Sequence, residues 1–202
     1  MAETSPVVEF PQPFDFTFPT SAAEWNVPSQ QWIKTNEENL DEPLDGLSSS
    51  ALVFNNQDRI LLLQRAAHDS MPHTWEVPGG AVDKGDPTIL HACSRELWEE
   101  AGLKVRRIKH VILDGAKGKP GATFMNSTGK RRYCKFSFQV EVDDTGIVKL
   151  DPNEHQAFVW ATEEEVKNQA IGDRKIPLAN PMMENLLRVA FEMRRASEEA
   201  KE

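Results

Sequence analysis

The segment from Pro78 to Leu103 sets the strongest constraint on what this chain can fold into. Pro78-Gly79-Gly80 supplies a tight turn whose glycines let another group approach the backbone closely, and the stretch from Asp86 to Ala101 reads as a bounded helix. Asp86 is placed to cap it, Pro87 fits its first turn, and Gly102 stops it. At 100° per residue, Leu90, Leu97 and Ala101 share a packing face, while Glu96, Glu99 and Glu100 fall within about 100° of one another on a different one. Like charges at these spacings destabilise a bare helix: two of them ~4 Å apart repel by about 4 kcal/mol at an effective dielectric of about 20. The arrangement calls for a positive partner. An all-oxygen, strongly negative ligand set suits Mg²⁺ or Mn²⁺, hard cations that also bridge phosphates. Read without its surroundings the pattern describes a solvated acidic helix face. The glycine turn and the further acid just upstream turn the reading toward a metal site.

Gly80, Arg95, Glu96, Leu97, Glu99, Glu100, Gly102 and Leu103 together resemble the Nudix box. That box reads Gly, five residues, Glu, seven residues, Arg-Glu, an aliphatic residue, any residue, Glu-Glu, any residue, Gly, aliphatic. The chain departs from it at one place: Asp86 stands where the box has Glu, and eight residues rather than seven separate it from Arg95. The resemblance implies an α/β protein, an α/β/α sandwich around a mixed β-sheet. The activity it implies is a Mg²⁺-dependent (or Mn²⁺-dependent) pyrophosphohydrolase, which cleaves a phosphoanhydride bond of a nucleoside diphosphate linked to another moiety. ADP-ribose-like compounds, dinucleoside polyphosphates, dinucleotides and nucleoside triphosphates are the candidate substrates.

By the same resemblance, Glu96, Glu99 and Glu100 are metal ligands or, for one of them, the base that activates water, and a backbone carbonyl near Gly80 is a further ligand. Arg95 orients carboxylates, and the residue at the Asp86 position supports the catalytic helix through that arginine. Glu154, in the loop Asp151-Pro-Asn-Glu-His155, is the candidate for a distal ligand or general base, with His155 competing for the role. Glu76, just before the glycine turn, either lines the metal site from the adjoining strand or is a surface strand residue. Two other functions share the fold. One is a catalytically silent nucleotide-binding module, against which the intact carboxylates speak. The other is isopentenyl-diphosphate isomerase, which needs an active-site cysteine and for which Cys134 lacks a matching setting.

With 202 residues the chain holds one domain with extensions. Residues 1–47 are expected to be a partly packed N-terminal extension, with Phe14, Phe16, Phe18, Trp25 and Trp32 as anchors and disorder at the extreme N-terminus; residues 48–202 form the Nudix domain. Residues 51–54 and 59–65 read as the strands of a hairpin around Asn55-Asn-Gln-Asp58, further strands are expected at 105–113, 133–142 and 157–160, and Pro181 to Ala200 reads as a C-terminal helix. Lys117, Lys119, Lys130, Arg131 and Arg132 surround a Gly-rich loop, either touching phosphates or decorating a solvated hairpin tip. The net charge of −9 argues against a general nucleic-acid grip and leaves room for a nucleotide-type diphosphate bound through divalent ions. No apolar run long enough for a membrane span and no basic-then-apolar start are present, so a cytoplasmic location and free thiols at Cys93 and Cys134 are expected. The sequence is compatible with a monomer or a homodimer.

Overall fold

The computed structural model describes residues 14–199, so the disorder expected at the extreme N-terminus lies outside the described residues. A 3₁₀ turn at Thr20–Trp25 leads into α1 (Ser29–Asn36), β1 (Gly46–Val53), β2 (Ile60–Arg65), β3 (Trp75–Glu76), β4 (Gly79–Ala81) and α2 (Ile89–Ala101). There follow β5 (Val105–Val111), β6 (Ala122–Met125), β7 (Arg132–Val142), β8 (His155–Ala161), α3 (Glu163–Asn168), the short pair β9 (Ala170–Ile171) and β10 (Arg174–Lys175), and α4 (Pro181–Glu199).

Two sheets form the middle layer. In the larger, β4 pairs antiparallel with β1, β1 runs parallel to β7, and the far edge of β7 takes β6 along Arg132–Lys135 and β5 along Phe138–Val142. The smaller is antiparallel, in the order β3-β2-β8. Helices α1 and α2 lie against one side, where Leu90, Cys93, Leu97 and Ala101 of α2 pack with Ala51, Val53, Phe136 and Phe138. On the other side, Met183, Leu186, Leu187 and Ala190 of α4 meet Leu52, Ile60, Leu62 and Ile112. The α/β/α sandwich implied by the box is present, with its mixed sheet accompanied by a second, antiparallel one.

The expected hairpin does not form. Asn55 does build a turn, its Oδ1 accepting from the backbone N–H groups of Gln57 (2.9 Å) and Arg59 (3.1 Å), and Phe54 bridges Ile60. Beyond that bridge the strands part, β1 entering the mixed sheet and β2 the antiparallel one. The turn chemistry is local; partner choice is a long-range matter, settled by the eight residues of β7, Tyr133 to Val140, that pair along the whole of β1. Strand β1 also starts at Gly46, ahead of the expected start at Ala51, and a division between residues 47 and 48 would cut it.

The N-terminal segment wraps the α2 side. Thr17 adds to the β5 edge, donating to Arg106 O (3.1 Å) and accepting from Ile108 N (2.8 Å), and Val27 O accepts from Ile89 N (3.1 Å) at the start of α2. Trp25 and Trp32 pack their rings on Phe136, with centroids 5.7 and 4.8 Å away. Burying large aromatic rings in this way is a substantial source of stability.

Candidate active site

Helix α2 is the scaffold of the site. Its cap is Thr88, whose Oγ1 accepts from His91 N at 3.2 Å, rather than the expected Asp86. The helix therefore begins later, and the extra residue of the box is absorbed in the loop before it. Gly102 ends the helix in the left-handed region (φ 66°), its N–H donating to Trp98 O. Released from capping, Asp86 accepts from Asp83 N (2.8 Å) and takes Arg95 in a two-point grip, Nε to Oδ1 at 2.8 Å and Nη2 to Oδ2 at 3.0 Å. The shorter acid thus reaches the box arginine.

Arg95 holds more than Asp86. Its Nη1 lies 2.8 Å from Glu99 Oε2 and 2.9 Å from Glu96 Oε1, and Nη2 donates to Ala81 O at 2.9 Å. One guanidinium ties the loop, the glycine strand and two helix carboxylates into a single piece, a geometry for which its planar fork is suited.

The three helix carboxylates are not equivalent. Glu99 sits at the rim facing Arg95, whereas Glu96 and Glu100 are buried at 8 % and 4 % exposure. The Glu96 carboxylate lies against Gly80: a Cβ built there would come within 2.7 Å of Oε1. Glu100 Oε2 accepts from Gly79 N at 2.9 Å. Burial pushes Glu96 up to about 7, with Arg95 pulling it back and Glu99 and Glu154 adding to the rise. Burial likewise holds Glu100 well above the usual carboxylate range, against the Gly79 N–H and with help from Glu96, Glu76 and Glu154. Such a cluster carries less charge than its composition allows, and a cation placed in it would recover that charge.

Glu154 comes to the same place from the loop before β8. Glu100, Glu154 and His155 each offer a ligand atom, all within 4.8 Å of one another. His155 is buried, not the surface loop residue its setting suggests, and its Nε2 lies 3.4 Å from Glu76 Oε1. Glu76 is in turn paired with Arg65 at 2.5 Å, which places it beside the cluster and in an ion pair of its own. The structure therefore brings together Glu100, Glu154 and His155, stations Glu96 on Gly80 and Glu76 next to His155, and turns Glu99 to Arg95. The donor set, dominated by carboxylate oxygens, fits a hard divalent cation.

One residue of this site escaped the sequence reading. Lys135, on β7, has Glu76, Glu100 and Asp114 pulling its ammonium pKa up while burial, the larger effect, lowers it. The alternation along Arg132–Val142 puts Tyr133, Lys135 and Ser137 on one face of a mostly buried strand, and a lysine there was the available signal. Cys134 points to the opposite face; burial pushes its thiol up to about 12, which suits a core residue and not a nucleophile. Of the loop cations, Lys117, Lys119 and Arg132 line a separate cavity of about 510 Å³ beside Trp25 and Trp32, and Lys130 and Arg131 are exposed on the β6–β7 turn.

The NUDIX domain model matches residues 45–179 of the chain. The chain belongs to the NUDIX family. It is 29% identical over 138 residues to a MutT-like protein of Streptomyces ambofaciens, covering 68% of this chain and 77% of that one. It is also 29% identical over 133 residues to a CTP pyrophosphohydrolase of Escherichia coli (strain K12), covering 66% and 88%. In three dimensions it resembles the MutT protein of Methanosarcina mazei Go1, with a TM-score of 0.54 and 22% identity over 81% of this chain and 99% of that one. The fold and the box place this Nudix hydrolase in a family whose enzymes generally use divalent metals. Among the described residues, no helix is long and apolar enough to cross a membrane.

Proposed function

We propose that this Nudix hydrolase is a Mg²⁺- or Mn²⁺-dependent pyrophosphohydrolase that cleaves a phosphoanhydride bond in a nucleotide-type diphosphate. The observation that carries the reading is the meeting of Glu100 and Glu154 at one point, beside a Glu96 seated on the glycine turn. Glu96 and Glu100 would hold the ion, with Glu154 beside them; when bound, it would neutralise phosphate oxygens and make water a better nucleophile at neutral pH. An imidazole is a poor ligand for such hard ions, so His155 serves as the partner that fixes Glu76. Arg95 is a positioning residue, holding Glu96 and Glu99 in place without touching substrate. Glu154, the exposed member of the group, takes the proton of the attacking water as the P–O bond to the leaving phosphate breaks. Deeply buried Glu100 is less suited to that exchange with solvent.

The similarity to a CTP pyrophosphohydrolase supports a nucleoside triphosphate as one substrate class to try, beside ADP-ribose, dinucleoside polyphosphates and dinucleotides. The test is turnover of such a panel with the full chain in Mg²⁺ or Mn²⁺, with products identified by mass. Hydrolysis of at least one compound at a phosphoanhydride bond, abolished by chelator and restored by metal, is the expected result. Undiminished hydrolysis in excess chelator would overturn the metal assignment.

A further inference from the structure

Among the acidic side chains gathered at the site, Glu154 is the one that nothing holds. Arg95 grips Asp86, Glu96 and Glu99, Gly79 N holds Glu100, and Arg65 pairs with Glu76. The Glu154 carboxylate is exposed and, among the described residues, has no hydrogen bond or ion pair. Its place is therefore set by its backbone. The turn that carries it is a stiff unit: Asp151 Oδ1 accepts from Asn153 N (2.9 Å), and Asp151 O accepts from Glu154 N (3.2 Å) and His155 N (2.9 Å), where β8 begins. A stiff turn at the end of a strand can still rock as a whole, so the contacts that brace it decide where Glu154 stands.

The brace is the loop between β2 and β3, residues 66–74, which meets the turn at points on both sides of Glu154. Ala66 N donates to Glu154 O (2.8 Å). His68 Nε2 donates to Asn153 O (2.8 Å), since a carbonyl only accepts, and Gln156 Nε2 donates to His73 Nδ1 (2.7 Å). The loop is itself anchored to the site. Arg65, which pairs with Glu76 through Nη1, also forms an ion pair with Asp69 and donates to Ser70 O through Nε (2.6 Å) and to Ser70 Oγ through Nη2 (3.0 Å). Met71 and His73 stand at φ 51° and 64°, a left-handed backbone that residues other than glycine rarely adopt and that persists where surrounding contacts over-determine it. Both imidazoles are exposed, and an exposed hydrogen bond adds little net stability because water replaces it. What the two histidines contribute is position.

We infer that His68 and His73 are positioning residues for Glu154: through Asn153 O and Gln156 they fix the turn that carries it, so that its carboxylate stays beside Glu100. The inference rests on the reading of Glu154 as the base that takes the proton of the attacking water, and it adds the residues that place that base. A shift of about 1 Å in a reacting group can cost about 100-fold in rate. Losing one histidine moves the turn by less, because Ala66 N still holds Glu154 O, and the expected loss is correspondingly smaller. Neither histidine belongs to the Glu100–Glu154–His155 cluster, so metal affinity should not depend on them.

Steady-state kinetics on the full chain in Mg²⁺ tests it, with CTP, ADP-ribose and diadenosine tetraphosphate as probes. The variants are His68→Ala and His73→Ala, each made also in a Glu154→Gln background, together with His68→Gln and His73→Asn. Glutamine puts a donor nitrogen where Nε2 was, and asparagine an acceptor oxygen where Nδ1 was. For the probe turned over fastest, each alanine variant should lower kcat about fivefold to tenfold with KM within about twofold, the scale of losing an outer-shell partner, and the glutamine and asparagine variants should recover most of the loss. Mn²⁺ affinity should stay within about twofold, which also shows that the variants are folded. In the Glu154→Gln background the alanine changes should move kcat by less than about twofold, because the group they position is gone, whereas a general loosening of the fold would lower kcat there as well. An alanine variant with kcat within about twofold of the unaltered chain loses its place in the assignment, and that result in both, or equal losses with and without the Glu154 carboxylate, would overturn the inference. Full kcat in Glu154→Gln alone would remove the base. No turnover of any probe by the unaltered chain would instead overturn the hydrolase reading, and the inference with it.

Discussion

Arg95 holds both oxygens of Asp86, at 2.8 and 3.0 Å, across the loop that carries the extra residue of the box. Asp86 touches no member of the Glu100–Glu154–His155 cluster directly, and its influence passes through the guanidinium that also holds Glu96 and Glu99. Asp86→Asn keeps one acceptor and loses the charge, so kcat should fall by about tenfold or less, as for the loss of an outer-shell partner. Glu100→Gln removes a charge from the metal cluster itself and should lower kcat by roughly 100-fold or more. Steady-state kinetics on both variants checks the order.

The two glycines of the turn should fail in different ways. At Gly79, with φ 154°, a Cβ would sit 2.4 Å from Ser49 O in the neighbouring strand, so Gly79→Ala strains the backbone and should lower the melting temperature. At Gly80 the three nearest atoms to such a Cβ all belong to the carboxylate of Glu96, at 2.7–2.8 Å, and that side chain can swing away. Gly80→Ala should therefore melt near the unaltered protein and lose activity. Thermal denaturation and turnover, measured on the same samples, separate the two.

Without divalent metal, stability should fall as pH rises through the weakly acidic range. Burial raises Glu96 from 4.5 to about 7 and Asp114 from 3.8 to about 6. An acid whose folded value is raised binds its proton more tightly in the folded state. Its contribution is whole below the unfolded value and is lost as pH climbs through the folded one, here a window from about 4 to about 7. Divalent metal binds the ionised Glu96 and should reverse its part of the slope. Urea denaturation at about pH 3.5, about pH 5.5 and about pH 7.5, one point below, one within and one above the window, with and without Mg²⁺, gives the comparison.

The N-terminal segment should prove structural. Trp32 is 7 % exposed and meets Phe136 edge-on, so Trp32→Ala opens a cavity and should cost about 3–5 kcal/mol of stability. The ring lies on the α2 side of the mixed sheet, away from the cleft that holds Lys135. Chemical denaturation should report the loss, and KM measured at a temperature where the variant is folded should stay close to its original value.

The catalytic helix was legible because its residues answer to local rules. Leu90, Leu97 and Ala101 repeat at helical spacing, and Gly102 is a stop that needs no distant partner. Its start was not, since Asp86 and Thr88 both cap well and only the tertiary pull of Arg95 decides between them. The same holds for β1 and β2, whose turn is local and whose partners are remote. Strand β1 also hides its true start, because Ser48, Ser49 and Ser50 are buried polar residues where a hydrophobic run was sought. Ser50 meets Ser137 at 2.8 Å, eighty-seven positions away. Glu154 was found by resemblance alone, and its meeting with Glu100 is a product of the fold.

The claim that Glu96 and Glu100 hold the catalytic ion is tested most directly by Mn²⁺ binding, followed by electron paramagnetic resonance on the full chain and on Glu96→Gln, Glu100→Gln and Asp86→Asn. Affinity should drop by roughly tenfold or more in both glutamine variants and remain within a few-fold in Asp86→Asn, because only the first two remove cluster charge. Unchanged Mn²⁺ affinity in Glu96→Gln and Glu100→Gln, with all variants folded, would contradict the assignment.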